Sequence, residues 1–328
     1  MPLLGTRTIA MPPLRIIFMG TPELARVCLA TLLNASEFEV VAVVTQPDRP
    51  KGRDLKLQPS PVKELAVSRG IPVLQPERAR DEAFLKQLSA FASDLIAVAA
   101  FGQILPKTIL DLPRYSCLNV HTSLLPKYRG AAPIQWAILH DEPETGVTIM
   151  KMDVGMDTGD IVTHQTTPIN PADNAQTLHD RLAKMGAELL VRTIPDYVAG
   201  KIVPQPQPTN GVSLAPKIKK QDGQINWSQP ARTIWNRIRG LVPWPGAFTS
   251  ISAQPQPQLL KIWESQVAEA LGETAPPGTI LQADKSGILV SCAPGAIRLL
   301  TVQREGGKRL IAAEFLAGHP LLAGQKLG

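Results

Sequence analysis

The stretch that decides the fold class is RIIFMGTPELARVCLATLLNASEFEVVAVVTQP, residues 15–47. It begins with a short apolar strand and a turn at Gly20, after which Thr21 is the expected helix N-cap and Pro22 the first helical residue. A helical stretch and a second apolar strand complete a βαβ unit. Because strands joined by a helical crossover lie parallel, the sequence predicts an α/β domain built on a mostly parallel sheet.

Further apolar runs extend this sheet along the chain. Only Gly20 stands where a dinucleotide-binding fingerprint requires three glycines, so we predict a Rossmann-like sheet without an NAD site. Strands are predicted at IPVL, DLIAVAA, CLNVH, TGVTIMKMD and DIVTHQTTPI, and helices near residues 80–90, 132–140 and 175–199.

A Pro-rich polar segment, GKIVPQPQPTNG, has no periodicity and is typical of a linker. Beyond it, the short apolar runs KIWESQV, GTILQAD, GILVSCA and AIRLLTVQ alternate with Gly and Pro, which favours a small β-barrel of the OB type. We predict a catalytic domain over residues 1–200, a linker over 201–210 and an OB-like domain over 211–328.

The net charge of +6 lies entirely in the C-terminal third, where residues 211–328 hold 13 Lys and Arg against 7 Asp and Glu. A basic module attached to a neutral one indicates a polyanionic partner, and nucleic acid is favoured over a membrane because no amphipathic anchoring helix stands out. The alternative is a surface that is basic only for solubility.

The composition also indicates the compartment. The chain has no uninterrupted apolar run of about 18 residues and no signal-peptide pattern at its start, so we expect a cytoplasmic protein without a membrane association. The three cysteines, Cys28, Cys117 and Cys292, are odd in number and far apart, which indicates neither a disulfide framework nor a zinc cluster. We expect a monomer.

The predicted strand CLNVH ends in two polar residues, Asn119 and His121, at alternate positions. Alternate side chains of a strand point to the same face, and ligands bind at the carboxyl ends of parallel strands. The pair therefore predicts a binding or catalytic site. The alternative is an Asn that caps a turn beside a surface His.

A second polar cluster, MDVGMDTGD, contains Asp153, Asp157 and Asp160. Its glycines allow close approach of a ligand, and a carboxylate beside an imidazole favours the charged ring and fixes its orientation. The alternatives are an acidic turn or a cation-binding loop, although the spacing does not match a Ca²⁺ loop.

These motifs carry a resemblance to a known family. NVHTSLLPKYRGAAP, followed about 36 residues after Asn119 by GMDTGD, resembles the signature of the folate-dependent formyltransferases. FMGTPELA, VTQPDRPKGRDLKLQPSPVK and FGQILP extend the similarity through the N-terminal part, and LAPKIKKQDGQINW and PWPGAF extend it more loosely beyond.

The resemblance implies formyl transfer from 10-formyltetrahydrofolate to the amino group of initiator methionyl-tRNA, with catalysis by Asn119, His121 and Asp157. It requires no metal. Amide and imidazole donors suit the tetrahedral oxyanion of this reaction, and the carboxylate suits proton transfer from the amine. The implied folate-binding residues are Ser123, Leu124, Leu125, Pro126, Phe101, Gly102, Gln103, Ile104 and Leu105.

The segment QPDRPKGRDLKLQPSP is polar and longer than most strand-to-helix connections, which is also typical of a solvated loop. The resemblance implies that its basic residues Arg49, Lys51, Arg53 and Lys56 bind the tRNA acceptor arm, with Arg53 central.

Two other functions remain open at this point. A formyltransferase for a small amine, such as glycinamide ribonucleotide or an amino-sugar nucleotide, leaves the basic loop and basic C-terminal module unexplained. A non-catalytic RNA-binding protein leaves the intact set of Asn119, His121 and Asp157 unexplained.

Overall fold

The structure is a computed structural model that describes residues 12–51, 56–251, 256–268 and 275–328. The chain divides into two compact units. The first contains the described residues as far as Pro126, together with Gly146–Gln165 and Arg181–Gly211. The second contains Lys127–Thr145, Thr166–Asp180 and the described residues from Val212 onward. The predicted boundaries at 200 and 211 remain predictions.

The chain alternates strands and helices until residue 198 and is mostly strand thereafter. The strands are β1 (Leu14–Gly20), β2 (Phe38–Val44), β3 (Arg49–Lys51), β4 (Lys56–Gln58), β5 (Val73–Leu74), β6 (Leu95–Ala99), β7 (Cys117–His121), β8 (Arg129–Gly130), β9 (Glu144–Lys151), β10 (Ile161–Pro168), β11 (Leu214–Ala215), β12 (Ala247–Ile251), β13 (Gln258–Ala268), β14 (Ile280–Asp284), β15 (Gly287–Ser291), β16 (Ala296–Arg304) and β17 (Leu310–Ile311). The α-helices are α1 (Glu23–Leu33), α2 (Pro61–Ser68), α3 (Glu82–Ser89), α4 (Lys107–Leu110), α5 (Pro133–Leu139), α6 (Ala175–Val198), α7 (Ala231–Gly240) and α8 (Ala312–Gly318).

The first unit is built on a seven-stranded sheet with the order β10-β9-β7-β6-β1-β2-β5. Strands β7, β6, β1, β2 and β5 are parallel to one another, and β9 lies antiparallel to β7. The apolar runs become central strands because both faces of the sheet are covered, and every residue of β6 and β7 is buried. The predicted mostly parallel sheet is confirmed.

The turn after β1 differs from the predicted cap. Helix α1 begins at Glu23, and the preceding Pro22 makes no side-chain cap. The Thr21 hydroxyl instead donates to the Phe101 carbonyl, 3.3 Å away, and accepts from the Gln46 backbone N–H at 3.3 Å. Thr21 therefore links the loops after β1, β2 and β6, which lie together at the carboxyl edge of the sheet. The hydrogen bonds to these loops take the place of the predicted cap on α1.

The second unit contains antiparallel strands in the order β12-β13-β16-β15-β14, with β17 added to β16. Its C-terminal residues connect the two outer strands, since Leu327 bridges to Ile251 of β12 and Lys326 bridges to Thr279, just before β14. Alternate apolar residues of these strands form the core with helices α7 and α8. The predicted β-rich C-terminal module is confirmed.

Helix α7 is fastened within the second unit by a buried arginine. Arg239 donates to the Asn236 side chain and to the carbonyls of Asn170 and Asp173 at 2.9, 3.1 and 3.2 Å, and its guanidinium lies 4.1 Å from the Trp235 ring centre. Burial lowers the pKa of Arg239 from its ordinary value. Residues predicted for the catalytic domain therefore contribute to the second unit, a long-range contact that composition does not reveal.

The three cysteines are free and buried, and burial raises the pKa of each thiol to about 12. They are therefore inert apolar residues at neutral pH. In the part of the chain that the structure describes, no helix has both the length and the apolar character needed to cross a membrane.

Candidate active site

The site is centred on the last residues of β7, where Asn119 and His121 lie at alternate positions of one strand face. In the antiparallel register with β9, Asn119 is opposite Met150 and His121 is opposite Thr148. Both polar residues are buried, with exposed fractions of 8% and 5%. Because the His121 side chain is buried, the alternative of a surface histidine is wrong. Burial of two polar side chains is costly unless they have hydrogen-bond partners.

Asp157 reaches this strand end from the loop between β9 and β10. One of its carboxylate oxygens, Oδ2, lies 3.7 Å from Nδ1 of His121, and the Asp157 side chain is 18% exposed. The distance is within ion-pair range and longer than an ordinary hydrogen bond. Asp157 has a φ angle of +54°, a left-handed conformation that aspartate tolerates better than most residues.

The other two aspartates of this loop have structural positions. Asp153 accepts the Gly155 backbone N–H at 3.1 Å and the Thr158 hydroxyl at 2.8 Å, so its carboxylate caps the loop from within. The Asp160 carbonyl accepts the Lys151 backbone N–H at 2.8 Å. Among the three carboxylates, Asp157 is the one that the structure pairs with His121.

The predicted folate-binding turn, residues 123–126, follows β7 directly and is held by Thr148 of β9. The Thr148 hydroxyl donates to the Ser123 carbonyl at 2.7 Å and accepts the Leu125 backbone N–H at 3.2 Å. Ser123 and Leu125 are buried, whereas Leu124 and Pro126 are half-buried. The turn can therefore present Leu124 and Pro126 as an apolar surface beside the polar strand end.

The second predicted folate-binding segment, residues 101–105, divides into core and surface positions. Phe101 and Leu105 are each 2% exposed and belong to the core of the first unit, whereas Ile104 is 77% exposed. The Gln103 side chain accepts the Ala79 backbone N–H at 2.7 Å, and Gly102 is exposed. The exposed residues of this segment are therefore Gly102 and Ile104, and its folate-binding role remains a prediction.

The predicted basic loop is a two-stranded ribbon, in which β3 and β4 pair antiparallel with Lys51 opposite Lys56. Arg49 forms an exposed ion pair with Glu77 at 2.9 Å. At the base of the ribbon, hydrogen bonds from Lys63 and then Gln75 hold the pKa of the Asp48 carboxyl below its ordinary value. This anchor is present at neutral pH and is lost as the pH falls through that lowered pKa. Arg53 lies outside the described residues.

Sequence reasoning missed Thr148 and Gln207, which contact the predicted site. Thr148 lies among buried residues of β9, and nothing in that run of sequence singles it out. Gln207 lies in the Pro-rich segment predicted as a linker, where composition indicates no contact at all.

The site combines an amide, an imidazole and a carboxylate at the mouth of a parallel sheet. Such a set can donate hydrogen bonds to a developing oxyanion and move a proton at a nearby amine. Within residues 12–51, 56–251, 256–268 and 275–328, no cluster of His, Cys, Asp and Glu side chains is arranged to hold a metal ion. The fold and the site together are those of a group-transfer enzyme.

Comparison with known proteins identifies the family. Residues 14–194 match the model described as formyl transferase, and residues 217–320 match the formyl transferase C-terminal domain. The chain belongs to the formyl transferase family. It is 52% identical over 313 residues to the methionyl-tRNA formyltransferase of Trichlorobacter lovleyi. The aligned residues cover 95% of this chain and 96% of that protein.

Solved structures share the fold at lower identity. HypX from Aquifex aeolicus, solved in complex with tetrahydrofolic acid, matches with a TM-score of 0.62 and 17% identity. The match covers 93% of this chain and 47% of the HypX chain. An N-formyltransferase from Helicobacter canadensis, in complex with folinic acid and dTDP-3-aminofucose, has a TM-score of 0.63 and 21% identity, covering 87% of this chain and 98% of that one.

Proposed function

We propose that this chain transfers the formyl group of 10-formyltetrahydrofolate to the amino group of initiator methionyl-tRNA. The observation that carries the proposal is the similarity of almost the whole chain to a methionyl-tRNA formyltransferase, in a structure that places Asp157 against His121. The product is N-formylmethionyl-tRNA, the initiator of bacterial translation. We further propose that the enzyme acts as a monomer in the cytoplasm.

Three residues carry the proposed chemistry. Attack of the neutral methionyl amine on the formyl carbon produces a tetrahedral oxyanion, and the Asn119 amide donates a hydrogen bond to that oxygen. The His121 imidazole, which lies 3.7 Å from the Asp157 carboxylate, is a second donor to that oxygen. Asp157 accepts, through a water molecule, the proton that the amine must lose after attack. Collapse of the oxyanion then breaks the bond from the formyl carbon to N10 of the folate, and that nitrogen takes up a proton as tetrahydrofolate leaves.

The residues around the strand end fit a reduced folate as the donor substrate. Leu124, Pro126 and Ile104 offer apolar side chains, and the loops that carry them adjoin the ends of β7 and β6. Ligand sites commonly combine such apolar walls with a few polar groups that fix orientation. When bound, the folate supplies the activated formyl group, and these residues orient it toward Asn119 and His121.

Formylation of a small amine is the alternative enzyme function. The fold likeness to sugar formyltransferases does not decide between the two, because identities near 20% show the fold alone. The basic ribbon and the positive charge of residues 211–328 favour a polyanionic acceptor such as tRNA.

The test is an assay with purified protein, 10-formyltetrahydrofolate and either methionine-charged initiator tRNA or an amino-sugar nucleotide. We expect formyl-methionine on the tRNA and no formylated sugar. Formylation of the sugar alone would replace the proposed acceptor, and no product with either acceptor would overturn the function.

The ribbon supplies a prediction about the acceptor. Arg53 lies between β3 and β4 in the sequence, and an arginine can clamp phosphate or stack on an unpaired base at the end of an A-form helix. Arg53→Ala is therefore expected to lower kcat/KM for charged tRNA by about tenfold, the cost of one good contact, without changing donor affinity. Arg53→Lys should recover only part, because an ammonium lacks the planar fork. Equal kcat/KM in all three proteins would exclude this role.

A second RNA contact is proposed on the outer face of the C-terminal module, at Lys261, Trp263 and Arg309, here called the Trp263 patch. The Arg309 guanidinium lies 3.6 Å from the Trp263 ring centre, and the Lys261 ammonium lies 5.9 Å from it. The Trp263 ring N–H donates to Gln303 at 2.9 Å, which fixes the ring. Aromatic rings interleaved with cations are typical of single-stranded nucleic-acid contacts.

The Trp263 patch predicts a salt-dependent contribution to tRNA affinity. Arg309→Ala should weaken binding several-fold and reduce the slope of log affinity against log salt by about 1, as expected for one phosphate contact. The matched control is Lys285→Ala, which removes an equal charge from the exposed turn between β14 and β15. If both variants change affinity and slope equally, general charge and not the patch is responsible.

A further inference from the structure

Gln207 lies outside β7 and β9, and its side chain forms two hydrogen bonds to the loop that carries Asp157. Its side-chain amide nitrogen, Nε2, donates to the Asp157 carbonyl at 2.8 Å and to the Gly159 carbonyl at 2.7 Å. Two acceptors on one amide group occupy both of its hydrogens. We propose that Gln207 is a positioning residue that holds Asp157 toward His121, an inference that rests on the proposed catalytic role of Asp157.

The backbone around Gln207 is fixed against the end of the same loop. Gln205 and Ile161 exchange two backbone hydrogen bonds, each 2.8 Å long, in an isolated antiparallel bridge. Gln207 lies two residues beyond this bridge and is half-buried. The backbone bridge therefore anchors the segment that carries Gln207. This segment, predicted as a linker, packs against the loop that carries Asp157.

The loop needs such a clamp because its own structure is irregular. Residues 152–160 contain no helix or strand, and Asp157 holds a left-handed φ of +54°. Gly159 packs so closely on β9 that an added Cβ would lie 1.9 Å from the Lys151 carbonyl oxygen. The Asp153 carboxylate caps the beginning of the loop, and Gln207 satisfies carbonyls at its end.

The position of these bonds explains how Gln207 acts on the carboxylate. The hydrogen bond to the Asp157 carbonyl fixes the backbone at that residue, and with it the direction of the Cα–Cβ bond from which Oδ2 reaches toward His121. Gln207 makes this contact with amide hydrogens that are already committed to the protein. It therefore acts through Asp157 and not by donating to the substrate.

Gln207→Met tests the clamp, because methionine keeps the length of the side chain and removes both donors. The matched control is Gln205→Met, since the exposed Gln205 amide donates only to Val203 of its own segment. In Gln207→Met we expect hydrogen exchange of residues 153–160 to rise at least about tenfold and kcat to fall by about 10- to 100-fold, as when other positioning partners are lost. Donor KM and the melting temperature should stay close to the parent values.

The double variant Gln207→Met/Asp157→Asn separates positioning from general damage. If Gln207 acts through Asp157, its loss should add less than about twofold once the carboxylate is gone. A full multiplicative loss in the double variant, or parent-like kcat in Gln207→Met, would overturn the inference. The two proposals fail separately: full activity of Asp157→Asn alone overturns the role of that carboxylate, and unchanged exchange of the loop in Gln207→Met overturns the clamp.

Discussion

Replacement of His121 by alanine is expected to lower kcat for formyl transfer by about a hundredfold or more, the range for loss of an oxyanion donor or acid-base partner. This corresponds to about 2.7 kcal/mol of transition-state stabilisation. The imidazole is buried at the end of β7 and lies 3.7 Å from the Asp157 carboxylate. Turnover by stopped assay on charged tRNA measures the effect.

The control for this prediction is His164→Ala, which removes an exposed histidine from β10 of the same sheet. It should retain parent turnover. Circular dichroism and the melting temperature of His121→Ala establish that the fold is intact, and donor affinity should change by less than about threefold because the lost bond belongs to the transition state. Turnover of His121→Ala within threefold of the parent would remove the residue from the mechanism.

Asp157→Asn is expected to have a loss of similar size, about a hundredfold in kcat. Asparagine preserves the shape of the side chain and removes both the negative charge beside the imidazole and the proton acceptor for the amine. Because the substitution is isosteric, the left-handed backbone at position 157 is tolerated, and asparagine also adopts it readily.

Asp153→Asn serves as the comparison in the same loop. Its amide oxygen can still accept the Gly155 backbone N–H, so we expect less than about tenfold loss of kcat, the size of one weakened local hydrogen bond. If Asp153→Asn and Asp157→Asn reduce kcat equally, the shape of the loop and not the Asp157 carboxylate is what catalysis requires.

The strand end was predictable because its signal is local. CLNVH alternates side chains on a run that is apolar enough to be buried, so Asn119 and His121 had to share one face. Asp157 was predicted through the family resemblance, since composition alone did not separate it from Asp153 and Asp160. The structure separates them by distance to His121 and by the hydrogen bonds of Asp153 within the loop.

In residues 101–105 a single sequence motif combines core positions with exposed positions. The resemblance assigned all five to the folate, and that assignment stays a prediction. The structure adds that Phe101 and Leu105 are core residues. Thr21 shows the same limit, because a predicted helix cap depends on three residues of local chain, whereas its hydroxyl bonds to a loop 80 residues away. Neither the burial of Phe101 and Leu105 nor the partner of Thr21 can be read from a few neighbouring residues of sequence.

By itself the sequence determined the parallel sheet, the β-rich C-terminal module and the polar pair at the end of β7, since each follows from the periodicity of neighbouring residues. Only the tertiary structure decided how close Asp157 lies to His121, that Thr148 holds the 123–126 turn and that Gln207 bonds to the Asp157 loop. These contacts join segments 25 to 50 residues apart in the chain. The physical reason is that hydrogen bonds between irregular loops depend on where the packed sheet places them, and a Pro-rich segment carries no period that reveals its partner.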